Sequence, residues 1–449
     1  MKIKFLGASG TVTGSSYVLT SGSGQSIIID LGMFQGISDI EKLNYNPFDY
    51  DCSKLRGAVL THAHLDHCGR LPILMSHGFT GDIWMTRPTQ DLTELSLLDS
   101  AKIAKQDDKI ILYDKELAEK TFSQFKTTEY RTPVQIGPFT VTFRDAGHIL
   151  GSATLEIEDL EPNSPSKKIV FSGDLGNSPE DLLEKTELID TADVVVMEST
   201  YGDTLHPEGI PADLIQSEVN AIETTGGTLL IPAFSLERTQ ELLHTIMHLK
   251  KLGKIKLGTP VYMDSPMAQR ATNIYRNYSE YFNTHVRTDL HNGDPFAFTG
   301  LNVISDRSGS EAVDESERPQ VIIAGSGMMT GGRILGHAAH YLPLASTRLL
   351  IVGYQGEGTH GRELVEGKKE ITIDGKSIPV RAHVSSTRIM SSHADQGQLL
   401  SWLAHIHNVK KVFLTHGEDG PRQALADKIK QDIHLSDVIM PALHQEIEF

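Results

Sequence analysis

Over residues 1–206 the chain alternates short apolar runs with polar, glycine-bearing loops. Runs such as Ile27-Ile28-Ile29, Gly57-Ala58-Val59-Leu60, Val141-Thr142-Phe143-Arg144 and Lys168-Ile169-Val170-Phe171 have the length and β-branched content of buried strands. Residues 91–126 differ. They are rich in charge and carry Leu92, Leu95, Ile103, Ile110 and Leu117 at helical spacing, which predicts one or two helices with no chemistry attached. Asn163-Ser164-Pro165-Ser166 predicts a hairpin-like turn. From Glu208 to Pro379 the pattern becomes strand, helix, strand. Residues 226–232, 261–263, 321–324 and 348–352 are the strand-like runs, and 238–252 and 267–278 the helical ones. Such alternation implies a mostly parallel sheet.

The strand ends carry the chemistry. Thr61-His62-Ala63-His64-Leu65-Asp66-His67 sets three imidazoles and a carboxylate directly after an apolar run. Histidine suits transition cations such as zinc, and a carboxylate adds a hard oxygen. The same form recurs downstream. One run leads into Asp145-Ala146-Gly147-His148, another into Ser172-Gly173-Asp174, and Lys411-Val412-Phe413-Leu414 leads into Thr415-His416-Gly417. Ligands at the ends of rigid strands are what a preorganised metal site requires. Together these positions make a candidate ligand set for one or two metal ions.

Composition narrows the setting. A chain of 449 residues has room for two or three domains with ample core. Cys52 and Cys68 cannot build a disulfide framework, so a reducing, cytoplasmic compartment is expected. Cys68 adjoins the metal motif, and packing suits it better than ligation, since the ligand set is already filled. Residues 1–7 look like a first strand, not a leader, and no apolar run approaches the roughly 18 residues of a membrane span. The formal charge of −17 sits awkwardly with nucleic-acid binding. Two divalent cations would nevertheless add positive charge at the point where a phosphate must sit. Arg270, Arg276, Arg333, Arg348, Arg362, Arg381 and Arg388 are either groove-lining residues or ordinary solvated ones.

At this point the chain resembles a family. His62-Ala63-His64-Leu65-Asp66-His67, His148, Asp174 and His416 match the ligand pattern of the metallo-β-lactamase superfamily. Three stretches narrow the resemblance to its β-CASP branch, the nucleases that include the endonuclease of messenger-RNA 3′-end processing. Residues 194–202 resemble the branch's acidic motif, with Glu198 in the acidic position. Ser391-Ser392-His393-Ala394-Asp395 resembles its second motif and Thr415-His416-Gly417-Glu418 its third. Residues 231–243 resemble the family's helix entry after a strand.

The resemblance implies an α/β fold: a metallo-β-lactamase αββα sandwich with an inserted β-CASP domain. The expected boundaries are 1–206 for the first part, 207–379 for the insertion and 380–449 for the return segment. It implies two zinc ions, although the ligand types alone admit manganese as well. His62, His64 and His148 would hold one ion, Asp66, His67 and His416 the other, and Asp174 would bridge. The implied activity is hydrolysis of RNA phosphodiester bonds by a hydroxide shared between the metals. His393 would be the general acid, with Glu198 holding its other ring nitrogen. Asp30, at the end of residues 27–31, either anchors a ligand loop or caps a turn. In residues 324–333, Ser326, Gly327 and Arg333 either cradle a substrate phosphate or form a tight turn of small residues. His337 and His340, near that loop, are either packing or surface residues or substrate contacts.

The implied partner is single-stranded RNA, with no membrane and a homodimer as a compatible assembly. Two rival activities share the first-domain ligands. A small-molecule ester or thioester hydrolase has no need of Glu198, His393 or an inserted domain. A DNA nuclease of the same branch typically carries an apolar residue where His416 stands. A noncatalytic scaffold of this family usually loses ligands, and none is lost here.

Overall fold

The computed structural model describes residues 1–106, 111–160, 167–177 and 182–449. The turn expected at Asn163–Ser166 and the helical position Ile110 lie outside them. The described chain divides into two compact units, 1–205 with 393–449, and 206–392.

The first unit holds two seven-stranded sheets. In one, Leu55–Val59 runs parallel to Ser26–Leu31 and Asp82–Thr86. In the other, Val194–Met197 runs parallel to Lys167–Phe171 and Lys411–Leu414. The layering follows from side-chain alternation. Phe139, Val141, Phe143, Leu155 and Ile157 share one buried cluster with Ile3, Phe5, Ile27 and Ile29 of the facing sheet. Outward positions depend on what covers them. Val195, Met197, Val412 and Leu414 pack with Leu399, Trp402, Leu403 and Leu425 of the helices Gln396–His405 and Asp419–Lys428. These strands therefore read as continuous apolar runs. On the strands beyond, Glu156 pairs with both Arg144 and Lys168.

One backbone feature breaks the alternation. Asp30 has φ +53°, and Leu31 accordingly joins Ile28 in the outer cluster, where strict alternation would place it with Ile27 and Ile29. That rotation lets a carboxylate leave a strand that is otherwise mostly isoleucine. The 91–126 segment gives helices Arg87–Gln106 and Lys115–Phe122, then the strand Phe125–Thr128.

The second unit is a six-stranded parallel sheet, ordered Leu301–Val303, Val261–Asp264, Gln320–Ala324, Thr228–Pro232, Thr347–Ile351, His383–Ser386. Residues 380–392, expected in the return segment, belong to this unit, because His383–Ser386 pairs with Thr347–Ile351. Leu230, Ile322, Leu349 and Ile351 pack under Ile334, Ala338 and Tyr341 of the helix Arg333–Tyr341.

On that helix His337 is 2% exposed and is a packing residue. Its Nδ1 lies 2.8 Å from Asp314 and its Nε2 2.8 Å from Asp264. Burial opposes the charged ring, but the two carboxylates outweigh it and raise its pKa to about 9. The unfolded value is about 6.5, so the ion-paired state stabilises this unit fully below that pH. The contribution, on the order of 3 kcal/mol, is lost as pH rises through about 9. Melting of the His337→Gln variant should therefore vary less than wild type between pH 6.5 and 9.5. Parallel curves for the two proteins would contradict this.

Candidate metal centre

Each of the seven candidate ligands follows a sheet strand. His62 to His67 come off Leu55–Val59, with His64 in the cap position of the short helix Leu65–Cys68. His148 follows Phe139–Asp145, Asp174 follows Lys167–Phe171, Glu198 follows Val194–Met197, and His416 follows Lys411–Leu414. His393 comes from the other direction, just before the helix capped by Asp395 in a complete capping box. His416 has φ +49°, a left-handed turn that bends the chain as it leaves the strand.

The donor atoms converge in two adjoining groups, linked by a third that joins Asp174, His393 and His416. His62, His64, His148 and Asp174 form one, and Asp66, His67 and His416 the other. In the first, His62 Nε2 and His148 Nε2 lie 3.1 and 3.2 Å from His64 Nδ1. They lie 3.5 and 3.6 Å from Asp174 Oδ2. A tetrahedral ion with bonds of about 2.0–2.1 Å has donor–donor edges of roughly 3.3–3.5 Å. In the second group Asp66 Oδ2 is 3.3 Å from His416 Nε2, and Asp174 Oδ1 is 3.3 Å from His67 Nε2. The two Asp174 oxygens thus face different groups. Asp174 Oδ1 is buried and lacks a hydrogen-bond donor of good geometry among the described residues. An acceptor so placed suits a cation.

Electrostatics prepare most of that donor set, the exception being His67, which Asp174 and Asp30 hold protonated against burial. Burial holds the His62 imidazole well below its ordinary pKa and lowers His64 to about 4, so both rings offer lone pairs at neutral pH. Burial would raise both aspartates. His416 and His67 reverse this, bringing Asp66 to about 2 and holding Asp174 well below the carboxylate range.

A surrounding layer orients the rings. Asp30, 2% exposed, accepts from Thr61 N and Thr61 Oγ1, each at 2.8 Å, and lies 2.8 Å from His67 Nδ1. Asp30 thus bonds both the start of the ligand loop and the His67 ring. With Nδ1 held by Asp30, His67 presents Nε2 to Asp174. Asp30→Asn should lower metal affinity roughly 10–100-fold without removing a ligand. Competition with a chromogenic chelator measures this, and unchanged affinity would deny Asp30 the orienting role. Thr61 Oγ1 lies 3.1 Å from His62 Nδ1, and Thr200 Oγ1 3.1 Å from His416 Nδ1. Neither threonine stands out in the sequence, although Thr61 precedes His62 and Thr200 lies two residues after Glu198. Cys68 is buried and donates to Ala63 O.

Glu198, 1% exposed, accepts from Leu175 N at 2.7 Å and lies 3.3 Å from His393 Nδ1. Burial disfavours a charged His393. The Glu198 carboxylate, with Asp174 and Asp66 behind it, overrides burial and raises its pKa to about 9.

Ser326, Gly327 and Arg333 belong to the other unit. Ser326 Oγ accepts from Thr330 N at 2.9 Å, and a Cβ at Gly327 would meet the Phe234 ring at 2.6 Å. Gly332 has φ +75°, and Arg333 bonds Asp264 and the Ile304 and Ser305 carbonyls. These are the contacts of a tight turn. Of the arginines set aside as groove candidates, Arg276, Arg348 and Arg362 pair with Asp294, Glu218 and Glu366. Among the described residues no helix is long and apolar enough to cross a membrane.

Known proteins carry the same architecture. The metallo-β-lactamase superfamily matches residues 9–217, the β-CASP domain 239–364, and the Zn-dependent metallo-hydrolase RNA specificity domain 377–441. Ribonuclease TTHA0252 of Thermus thermophilus is 36% identical, covering 95% of each chain. Transcription termination factor FttA of Methanocaldococcus jannaschii is 32% identical over 96% of this chain and 69% of its own. RNase aCSPSF2 of Saccharolobus solfataricus is 32% identical over 99% of this chain and 85% of its own. A solved structure of a protein of unknown function from Enterococcus faecalis shares the fold, with a TM-score of 0.55, 11% identity and 99% of each chain covered. With its ligand-bearing strand ends, its inserted parallel-sheet unit and a relative that matches nearly end to end, the chain belongs to the β-CASP branch of the metallo-β-lactamase superfamily, a branch of metal-dependent nucleases.

Proposed function

We propose that the protein is a zinc-dependent ribonuclease. The observation that carries this is the seven-residue donor set together with His393 held by Glu198 at its margin. His62, His64 and His148 would hold one zinc, Asp66, His67 and His416 the other, with Asp174 shared. When bound, such a pair supplies a nucleophile at neutral pH and neutralises phosphate charge. The chain's own residues supply the rest. The aspartates remain ionised and the His62 and His64 rings neutral, whereas His67, held protonated by Asp174 and Asp30, gives up its proton when an ion binds. Asp30 fixes the tautomer of His67, leaving Nε2 to face the centre. Glu198 favours a protonated His393, which can deliver a proton to the departing ribose oxygen.

RNA is favoured as the substrate because the relatives' names include ribonucleases and because the RNA specificity domain matches residues 377–441. The test uses zinc-replete protein with single-stranded RNA and DNA of the same sequence, labelled at one end. RNA should be cleaved at least about 10-fold faster than DNA, and the product ladder separates internal from end-directed cutting. Equal rates would favour a nuclease indifferent to the sugar. No cleavage of either polymer by fully loaded protein would overturn the proposal.

A further inference from the structure

The inserted unit contains a second convergence of metal-binding groups. His244 and His248 stand one turn apart on the helix Arg238–Lys251, and His285 and Asp289 one turn apart on Thr284–Asn292. Spacing of i, i+4 puts each pair on one helix face. The ligating atoms of all four residues lie within 4.8 Å of one another. His244 Nε2 is 3.1 Å and His248 Nε2 2.7 Å from Asp289 Oδ2, and the two ring nitrogens are 3.2 Å apart. His285 Nδ1 is 3.7 Å from the same oxygen. Three rings are thus aimed at a single carboxylate oxygen. These separations bracket the roughly 3.3–3.5 Å edges of a four-coordinate site, which the exposed His285 side chain can complete by a small rotation.

We propose that His244, His248, His285 and Asp289 bind a third divalent transition cation of the zinc class, which braces two helices of the inserted unit. The ligands specify the chemistry: three imidazoles and one carboxylate suit zinc or cobalt, whereas magnesium and calcium take oxygen ligands. Four protein donors leave no open position, the mark of a structural site. The fold supplies a use for the brace. Thr284–Asn292 buries Val286 alone among its residues, so packing holds that helix weakly. On the partner helix His244 is buried, at 1% exposure, with its imidazole directed into the cluster.

The test compares full-length wild type with the His248→Ala/His285→Ala double variant. Both are stripped with chelator and titrated with Co2+, whose visible bands report four-coordinate sites. Wild type should take up one equivalent per chain more than the double variant. Zn2+ should raise the melting temperature of the inserted unit in wild type only, and Mg2+ should do neither. This difference does not depend on how many ions the β-CASP centre holds, so failure here is separable from failure of the ribonuclease assignment. His285 is 69% exposed at its side chain, so His285→Ala leaves packing undisturbed and covers the case in which the double variant misfolds. It should weaken the extra Co2+ site at least about 10-fold. Equal Co2+ uptake by wild type and the double variant, or unchanged affinity in His285→Ala, would overturn the proposal.

Discussion

Replacing Asp174 with alanine should abolish binding of the two proposed metal ions and lower RNA cleavage by roughly 10³-fold or more, since such ions would supply both nucleophile and charge neutralisation. The residue's two oxygens point to different donor groups, Oδ2 toward His62 and His148, Oδ1 toward His67 and His416. Every other ligand serves one group. Loss of His64, for example, leaves the second group complete, whereas loss of Asp174 opens both. The substitution also removes the acid that His67 and His416 face inside the protein. Breaking a buried charge pair costs about 3–5 kcal/mol, so the metal-free variant should melt below metal-free wild type. Metal analysis after dialysis, with a melting curve, checks both parts. Two ions retained per chain would contradict the bridging role even if activity were lost.

The centre was legible in the sequence because its chemistry is local to strand ends. An apolar run followed by a small residue and a ligand type is visible without knowing which strands pair, and the seven positions it marks lie together in one unit. The orienting groups were not equally visible. Thr61 and Thr200 act through a hydroxyl close to one particular ring nitrogen, and which nitrogen faces inward depends on side-chain rotation, not on spacing. Asp30 was marked as an acid ending a strand, but the positive φ that sends its carboxylate toward His67 has no signature beyond the residue itself.

In the inserted unit the central strands stood out as apolar runs. The edge strands Leu301–Val303 and His383–Ser386 did not, because they are short and half-exposed. That is why the return boundary moves from 380 to 393. The groove-candidate arginines show the limit of counting charges, since the pairing of Arg276, Arg333 and Arg348 with distant carboxylates is a tertiary fact. The His244 cluster shows the same limit for ligands, because its two helical pairs are joined by contacts across 41 positions.

The second large effect should separate chemistry from metal binding. His393→Ala should retain the wild-type metal content and lose roughly 10²–10⁴-fold in cleavage rate, the range ascribed to a positioned general acid or base. The geometry makes that separation possible. His393 Nδ1 lies 3.3 Å from Glu198 and 4.0 Å from Asp174 Oδ2, so its nearer partner is the carboxylate outside the donor set. The neighbourhood also offers a rival, since Asp174, His393 and His416 are close enough to share an ion. If His393 were a ligand, the alanine variant would lose metal along with activity, and metal analysis distinguishes the cases directly. A second substrate sharpens the result. An RNA analogue whose leaving oxygen is replaced by sulfur needs little protonation on departure, so His393→Ala should cleave it nearly as fast as wild type does. Equal losses on both substrates, with metal intact, would give His393 a positioning role in place of proton delivery. Full activity on ordinary RNA would remove it from the mechanism altogether.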